Sequence, residues 1–315
     1  MRKEISTVLE QLRPFIYPGL TALVFALAFT ASLFFNGARI EYFALSLFIL
    51  FLLLYVVLWR GYSRGLQIPK TPLVITLTLF WLWLAVTQLW SPAPYVSMVN
   101  FWWVGGAVLV FWLMTLVREP DHPFPGTYVA IWAIGVVLAL LSAYQQLSLG
   151  THAQSTFLTR NSHAGLMCLL AIPASSYFLM AHGITRRATW TTRILGPVLF
   201  ILYFSLALTG SRGASLGLLT GLVLVVALAY RRIPRPRLII FFAIVLLAFI
   251  TANFLLKGEV AARFGTLANI SSADAGRFLI WERAWQMLMD APWWGVGLGP
   301  YWLHWPPYRN PLDSS

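Results

Sequence analysis

The chain has 315 residues, 59% of them hydrophobic and only 10% charged, with a mean hydropathy of +0.74. A soluble domain carries about a quarter charged residues, so this composition excludes an ordinary water-soluble globule. A formal net charge of +12 would suit nucleic acid. Its distribution along the chain follows membrane topology instead, and nucleic acid is not an expected partner.

Backbone groups in hydrocarbon must be hydrogen-bonded within the protein, which leaves helices or a closed barrel. The apolar runs are continuous rather than alternating, which selects helices. Nine spans are expected, at 16–35, 41–59, 72–90, 98–117, 127–145, 163–182, 193–209, 213–230 and 238–256. Each is close to the roughly 20 residues that cross the hydrocarbon core. The expected fold is therefore all-α: a polytopic membrane helical bundle over residues 1–256, then an outer loop beginning at residues 257–315. The first apolar run is long and lacks a clear small-residue cleavage site, so it reads as a span rather than a cleaved signal.

Most of the 22 basic residues sit in alternate loops: Arg2, Lys3 and Arg13, then Arg60, Arg64 and Lys70, then Arg118, then Arg186, Arg187 and Arg193, then Arg231, Arg232, Arg235 and Arg237. The positive-inside rule places those loops and the N-terminus in the cytoplasm, and everything after Leu256 outside. Arg39, Arg160 and Arg212 are left at outer helix ends, with Lys257, Arg263, Arg277, Arg283 and Arg309 in the tail. Topology does not account for these cations. Their usual tasks at a membrane surface are lipid headgroups, acidic partners or phosphate.

The first five spans are rich in Leu, Phe, Trp and Val, and no chemistry is legible in them. Trp81, Trp83, Trp90, Trp102 and Trp103 suit interfacial belts and lipid-facing packing. Gln88, Gln145 and Gln146, near outer helix ends, are expected to satisfy one another or water, with the lining of a cavity as the alternative. The loop THAQSTFLTRNSHAGL brings Arg160, Asn161 and His163 to the point where the chain re-enters the membrane. Ionisable groups there lean towards function, although a lone histidine is more often hydrogen-bonded than catalytic. The single cysteine, Cys168, lies inside the sixth span and can form no intrachain disulfide.

Span seven ends in LALTGSRGASLG, where Thr209, Gly210, Ser211, Arg212 and Gly213 interrupt the apolar run. An arginine between two closely spaced spans is costly unless it snorkels or binds something. The glycines let the backbone turn and present N–H groups, a suitable anion nest beside a guanidinium.

In the tail, SSADAGRFLIWERAWQMLMDAPWWGVGLGP places Phe278, Trp281, Trp285 and Leu288 on one helical face. Ser272 or Asp274 can cap this helix, Pro292 ends it, and Gly295, Gly297 and Gly299 make a run of turns. Arg277 falls in the first turn, near the positive end of the dipole, where a bound anion would offset its cost. The bland reading is an amphipathic helix lying on lipid, with Trp281 and Trp285 facing the headgroups. GVGLG lacks a preceding strand and is not a dinucleotide fingerprint. There is no HExxH, CxxC or GxxxxGK[ST] motif. His122, His152, His163, His182 and His304 lack ligand spacing, so neither a metal site nor a cofactor is expected.

TGSRGA after one span, followed by AGRFLIWERAWQMLMDAPWWGVGLGPY, resembles the O-antigen ligase and polymerase superfamily, and TFLTRNSHAG is similar to a third pattern of that group. The resemblance implies a bacterial inner-membrane glycosyltransferase with a large periplasmic loop. Its members move a glycan from an undecaprenyl-diphosphate carrier to a lipid A-core, glycan or protein acceptor, without metal or nucleotide sugar. Arg212 and Arg277 match the arginines implicated there in holding the donor diphosphate, with Arg160 as a third candidate. Ser211, Gly213, Asn161, His163 and Trp281 are expected to support them. The family's proposed base is a histidine beyond the Pro- and Tyr-containing segment. His304 precedes Pro306, Pro307 and Tyr308 and is followed by Trp305, so it does not match. That base is expected beyond Ser315, in a truncated chain or fragment that would then be inactive by itself. Ligase, polymerase and protein-glycosylating members share the arginines and differ in acceptor, so that choice stays open. A transporter or flippase for an anionic lipid or solute is the alternative reading of the same arginines.

Overall fold

Every regular element among the described residues is helical, as the need to satisfy backbone groups in hydrocarbon demands. The computed structural model describes residues 40–64, 72–116, 125–180, 186–265, 275–299 and 301–308. The helices are α1 (Ile40–Arg64), α2 (Pro72–Val86), α3 (Pro94–Leu116), α4 (Pro125–Leu147), α5 (Arg160–Met180) and α6 (Arg186–Thr209). They continue with α7 (Arg212–Ala229), α8 (Arg235–Leu255), α9 (Glu259–Gly265), α10 (Ala275–Asp290) and α11 (Tyr301–His304). Helices α1 to α8 fall on the second to ninth expected spans. The first, at 16–35, lies outside the described residues. By length and apolar composition, 6 of the described helices can cross a membrane, and Ile131–Leu147 and Arg193–Thr209 are shorter apolar stretches. The count of nine is therefore approximate.

Proline opens α2, α3 and α4, where its missing N–H would be unpaired in any case and its fixed φ is already helical. Pro173 and Pro197 lie inside α5 and α6, a position tolerated where neighbouring helices surround the interrupted ladder.

The described residues divide into two compact units. One is built from α4 to α9, the other from most of α1 with α2, α3, α10 and α11.

The first unit is centred on α6. Leu199, Leu202, Tyr203 and Leu206 are fully buried and pack against α4, α5 and α8. Tyr203 reaches α5 through a 2.6 Å bond to the Ser175 hydroxyl, which itself donates to the Ala171 carbonyl. The chain links α6 to α7 through Gly210 and Ser211 alone, yet the two helices do not pair along their length. Helix α7 instead lies against α5: the Cys168 thiol donates to the Ala214 carbonyl at 3.4 Å, and Gly221 accommodates Ile172. Cys168 precedes Ile172 as Ala214 precedes Gly221, so α5 and α7 run parallel. At their starting end a small cluster of Ala153, Ala207, Leu208, Ala252 and Val260 gathers the loop before α5, the ends of α6 and α8, and α9.

In the second unit, α2 and α3 are locked by aromatic contact. Trp81 stacks on Phe101 with ring centroids 5.0 Å apart, and its indole N–H reaches the Phe101 carbonyl at 3.4 Å. Trp112 donates to Thr78 at 3.0 Å. Trp81 is thus a helix–helix contact rather than the lipid-facing belt residue its composition suggested. A Cβ on Gly105 would approach its ring to 2.8 Å, so the glycine makes room for it.

Packing around α6 predicts a localised stability map. Leu202→Ala should cost about 2–5 kcal/mol through the cavity it leaves and lower the heat-denaturation midpoint in detergent. Leu219→Ala on the exposed side of α7 should leave that midpoint nearly unchanged.

Candidate functional site

The loop between α4 and α5 is held by two glutamines at the end of α4. Gln145 Oε1 accepts from the Ser155 amide at 2.7 Å and the Gln154 amide at 3.3 Å, and its Nε2 donates to the Ser155 carbonyl at 2.9 Å. Gln146 Oε1 accepts from the Ala153 amide at 3.1 Å. This clamp holds Ser155 at φ 55, a left-handed conformation that a non-glycine residue adopts only where its surroundings impose it. Gln145 and Gln146 therefore pair with loop backbone rather than with each other.

The clamped loop delivers Thr159 as the N-cap of α5. Its hydroxyl accepts from the Ser162 amide at 3.2 Å and shares a 2.9 Å bond with the Ser162 hydroxyl. Arg160 is then the first helical residue, half-buried, and Asn161 is exposed. One turn on, His163 is fully buried, 2.9 Å from the Ser205 hydroxyl of α6. Ser205 is in turn 2.7 Å from Ser142 of α4, which donates to the Ala139 carbonyl at 2.8 Å. With one proton per hydroxyl, the chain orders itself: Ser142 donates to Ala139, Ser205 to Ser142, and His163 Nε2–H to Ser205. The lone pair then sits on Nδ1, which has no hydrogen-bond partner. His163 is thus a buried tie between three helices, set directly beneath Arg160.

The Thr-Gly-Ser-Arg-Gly link builds the second helix start. The Thr209 hydroxyl donates to the Leu206 carbonyl at 2.7 Å and accepts from the Ser211 amide at 3.2 Å. Gly210 turns the chain at φ 58. Ser211 is the N-cap residue of α7 but gives no side-chain cap; its carbonyl instead accepts from the Ser215 amide and hydroxyl at 3.1 and 3.0 Å. Arg212 follows as the first residue of α7, half-buried, with Gly213 exposed.

Because α5 and α7 are parallel neighbours, both arginine-bearing starts lie at one end of this unit. From the contacts of Cys168 with Ala214 and of Ile172 with Gly221, the α7 start lies roughly 5–9 Å deeper along the axis at 1.5 Å per residue. Two helix N-termini present amides with partial positive charge there, and each helix opens on an arginine. Helix starts of this kind favour anions. Among the described residues, no group of three or more His, Cys, Asp or Glu could share a metal ion.

Arg277 belongs to the other unit. It is the third residue of α10, and its side chain lies outside the described set. The apolar face after it does not turn into the protein: Phe278, Trp281, Trp285 and Leu288 are all exposed, while Met287 is buried. Asp290 accepts from the Tyr308 hydroxyl at 2.5 Å. That carboxylate raises the Tyr308 pKa above its ordinary value. The contribution of this bond is present below the unfolded pKa near 10 and is lost as pH rises through the raised value.

The glycine turns after α10 dock on the link between α2 and α3. Ser97 donates to the Leu298 carbonyl at 2.6 Å and shares a 2.6 Å bond with the Ser91 hydroxyl. The Trp90 indole donates to the Trp294 carbonyl at 3.2 Å. Gly297 (φ 92) rests on Ser91, where a Cβ would lie 2.8 Å from Cβ and 3.0 Å from Cα. A Cβ on Gly299 would come closer still, to the Asn100 side chain. Sequence reasoning found the turn but not its seat, since nothing local in Ser91, Ser97 or Asn100 signals a partner about 200 residues away.

The fold is that of a multi-pass membrane helical bundle, in which two neighbouring helices open on arginines at one end of their unit. Residues 197–314 match the family described as O-antigen ligase. Over that segment, which starts in the middle of α6, the chain is similar to the O-antigen ligase family, and this match supports the O-antigen ligase and polymerase superfamily, whose activity is of the glycosyltransferase type. No curated protein and no solved structure gave a significant match.

Two substitutions test these supports. Ser205→Ala should cost about 1–3 kcal/mol by leaving the buried His163 Nε2–H unpaired, seen as a lower melting midpoint than Thr220→Ala on the exposed side of α7. Gly297→Ala should free residues 291–299 from their seat, through about 1–3 kcal/mol of backbone strain plus the clash with Ser91. Faster hydrogen exchange over that segment, with α4 to α8 unchanged, is the expected readout.

Proposed function

We propose that this chain is an O-antigen ligase-like glycosyltransferase that moves a glycan from an undecaprenyl-diphosphate carrier to a lipid, glycan or protein acceptor on the periplasmic face of the bacterial inner membrane. The observation that carries the proposal is the parallel pair α5 and α7, each opening on an arginine at the same end of its unit. In such a transfer the acceptor hydroxyl attacks the anomeric carbon and the bond to the diphosphate oxygen breaks. Negative charge then grows on the departing lipid diphosphate. Arg160, Arg212 and the first-turn amides of α5 and α7 would receive that charge in the role a divalent ion plays in other enzymes, and neither metal nor cofactor enters the reading. Guanidiniums stay protonated and cannot take the hydroxyl proton, so the base is a different group. Arg277 enters this reading on its motif alone. The basic loops that alternate along the sequence support a periplasmic active face.

The test is binding of a polyprenyl diphosphate to the purified chain in nanodiscs. Arg160→Ala and Arg212→Ala should each weaken binding by about 10- to 100-fold, the worth of a charge-assisted hydrogen bond to phosphate. Arg212→Lys should recover only part of the loss, since it keeps the charge without the two-pronged geometry. Unchanged affinity in both alanine variants would overturn the proposal. Movement of lipid-linked glycan across vesicles without an acceptor-linked product would instead favour the flippase reading.

A further inference from the structure

Helix α10 has two unlike sides. At about 100° per residue, Phe278, Trp281, Trp285, Leu288 and Met289 form one continuous strip, and all of them are exposed, Trp281 at 63% and Trp285 at 61%. On the opposite side Met287 is buried, Ile280 is 49% exposed, and Asp290 accepts from the Tyr308 hydroxyl. Arg277 and Glu282 fall by register at the two margins of the strip. The helix also contains Arg283 and Asp290, too many charges for a segment that crosses hydrocarbon.

The anchorage of residues 291–299 sets the depth of α10. Pro72–Trp90 and Pro94–Leu113 are each long and apolar enough to span a bilayer, so the tight link between them lies at a membrane surface. Ser91, Ser97 and Asn100 of that link and of the start of α3 seat Leu298, Gly297 and Gly299. The chain leaving α10 is therefore pinned at the membrane surface within nine residues of Asp290. Aromatic rings continue the connection. Trp83, on the exposed side of α2, has its ring centroid 5.9 Å from that of Trp294, and Trp294 lies 6.1 Å from Trp90. The lipid-facing surface of α2, with Leu79, Phe80 and Leu82 also exposed, thus runs without interruption into the segment after α10. Trp293 and Trp302 extend the exposed aromatics. Indoles favour the headgroup boundary, where the ring is apolar and the N–H is wet.

We infer that α10 lies along the bilayer surface, with Phe278, Trp281, Trp285, Leu288 and Met289 in the boundary between phospholipid headgroups and acyl chains. The occupant of the strip is lipid, not water and not a second protein surface. One consequence rests on the reading of function given above: Arg277, at the margin of the strip, is held at the depth of a lipid-linked diphosphate. The placement of the helix does not depend on that reading.

The experiment uses the whole chain, carrying Cys168→Ala, in vesicles of phosphatidylcholine and phosphatidylglycerol. Nitroxide labels at Trp281→Cys, Trp285→Cys and Gln286→Cys are compared for collision with oxygen, which concentrates in lipid, and with a water-soluble nickel chelate. The labels at 281 and 285 should favour oxygen, and the label at 286 should reverse that ranking. Higher nickel accessibility at 281 and 285 would place the strip in water; shielding from both reagents would place it against protein. Either result overturns the inference. As a check free of cysteine, Trp281→Phe/Trp285→Phe should lose part of the fluorescence quenched by phosphatidylcholine brominated high on its acyl chains, and no loss counts against it. None of these readouts depends on glycan transfer or diphosphate binding, so each reading fails separately.

Discussion

Close packing along α6 is the constraint on which the first unit depends. In hydrocarbon, apolar side chains gain little by leaving lipid for protein, so helices associate through contact density and buried polar ties. Leu199, Leu202, Tyr203 and Leu206 supply the contact, with no exposed surface left on any of them. Ser205 and Tyr203 supply the ties, to His163 and Ser175 of α5. These bonds have direction, and they fix the rotation and height of α5 relative to α6. A core of leucines alone would leave both loosely specified.

That rigidity has an electrostatic use. A helix start carries amides without carbonyl partners, and an arginine there adds like charge to the dipole. One such start is a small cost; two side by side are a field. The structure sets α5 and α7 parallel because α7 leaves α6 at once and crosses to α5, where Gly221 lets Ile172 in. Had α7 folded back along α6, as a two-residue link suggests, Arg212 would lie beside the C-terminal end of α6 alone. The clamp by Gln145 and Gln146 and the tie at His163 then stabilise the loop and the helix start that carry Arg160.

The second unit solves a different problem, that of fastening a long excursion to a membrane helix pair. It does so with backbone, not with large side chains. Leu298 and Trp294 contribute carbonyls, and Gly297 and Gly299 contribute the absence of a Cβ. The latch leaves the aromatic strip of α10 uncovered, which is unusual for so large an apolar surface unless another phase covers it.

The sequence by itself determined the class of fold and the positions of α1 to α8, and it singled out cations that the alternation of basic loops leaves over. Each of these follows from local quantities: apolar run length, proline and glycine placement, and the sign of charge in successive loops. The amphipathic face of α10 was legible for the same reason, since helical periodicity is local. The tertiary structure alone decided which helices meet. Two-residue links, seats about 200 residues away and ties such as Ser142–Ser205–His163 leave no periodic trace, because serine, glutamine and glycine are common and their partners are chosen by packing. It also decided that Trp81 is a contact and not a belt residue, and that Arg160 and Arg212 share one end of a unit. Geometry of that kind resides in the crossing of helices, which sequence spacing does not encode.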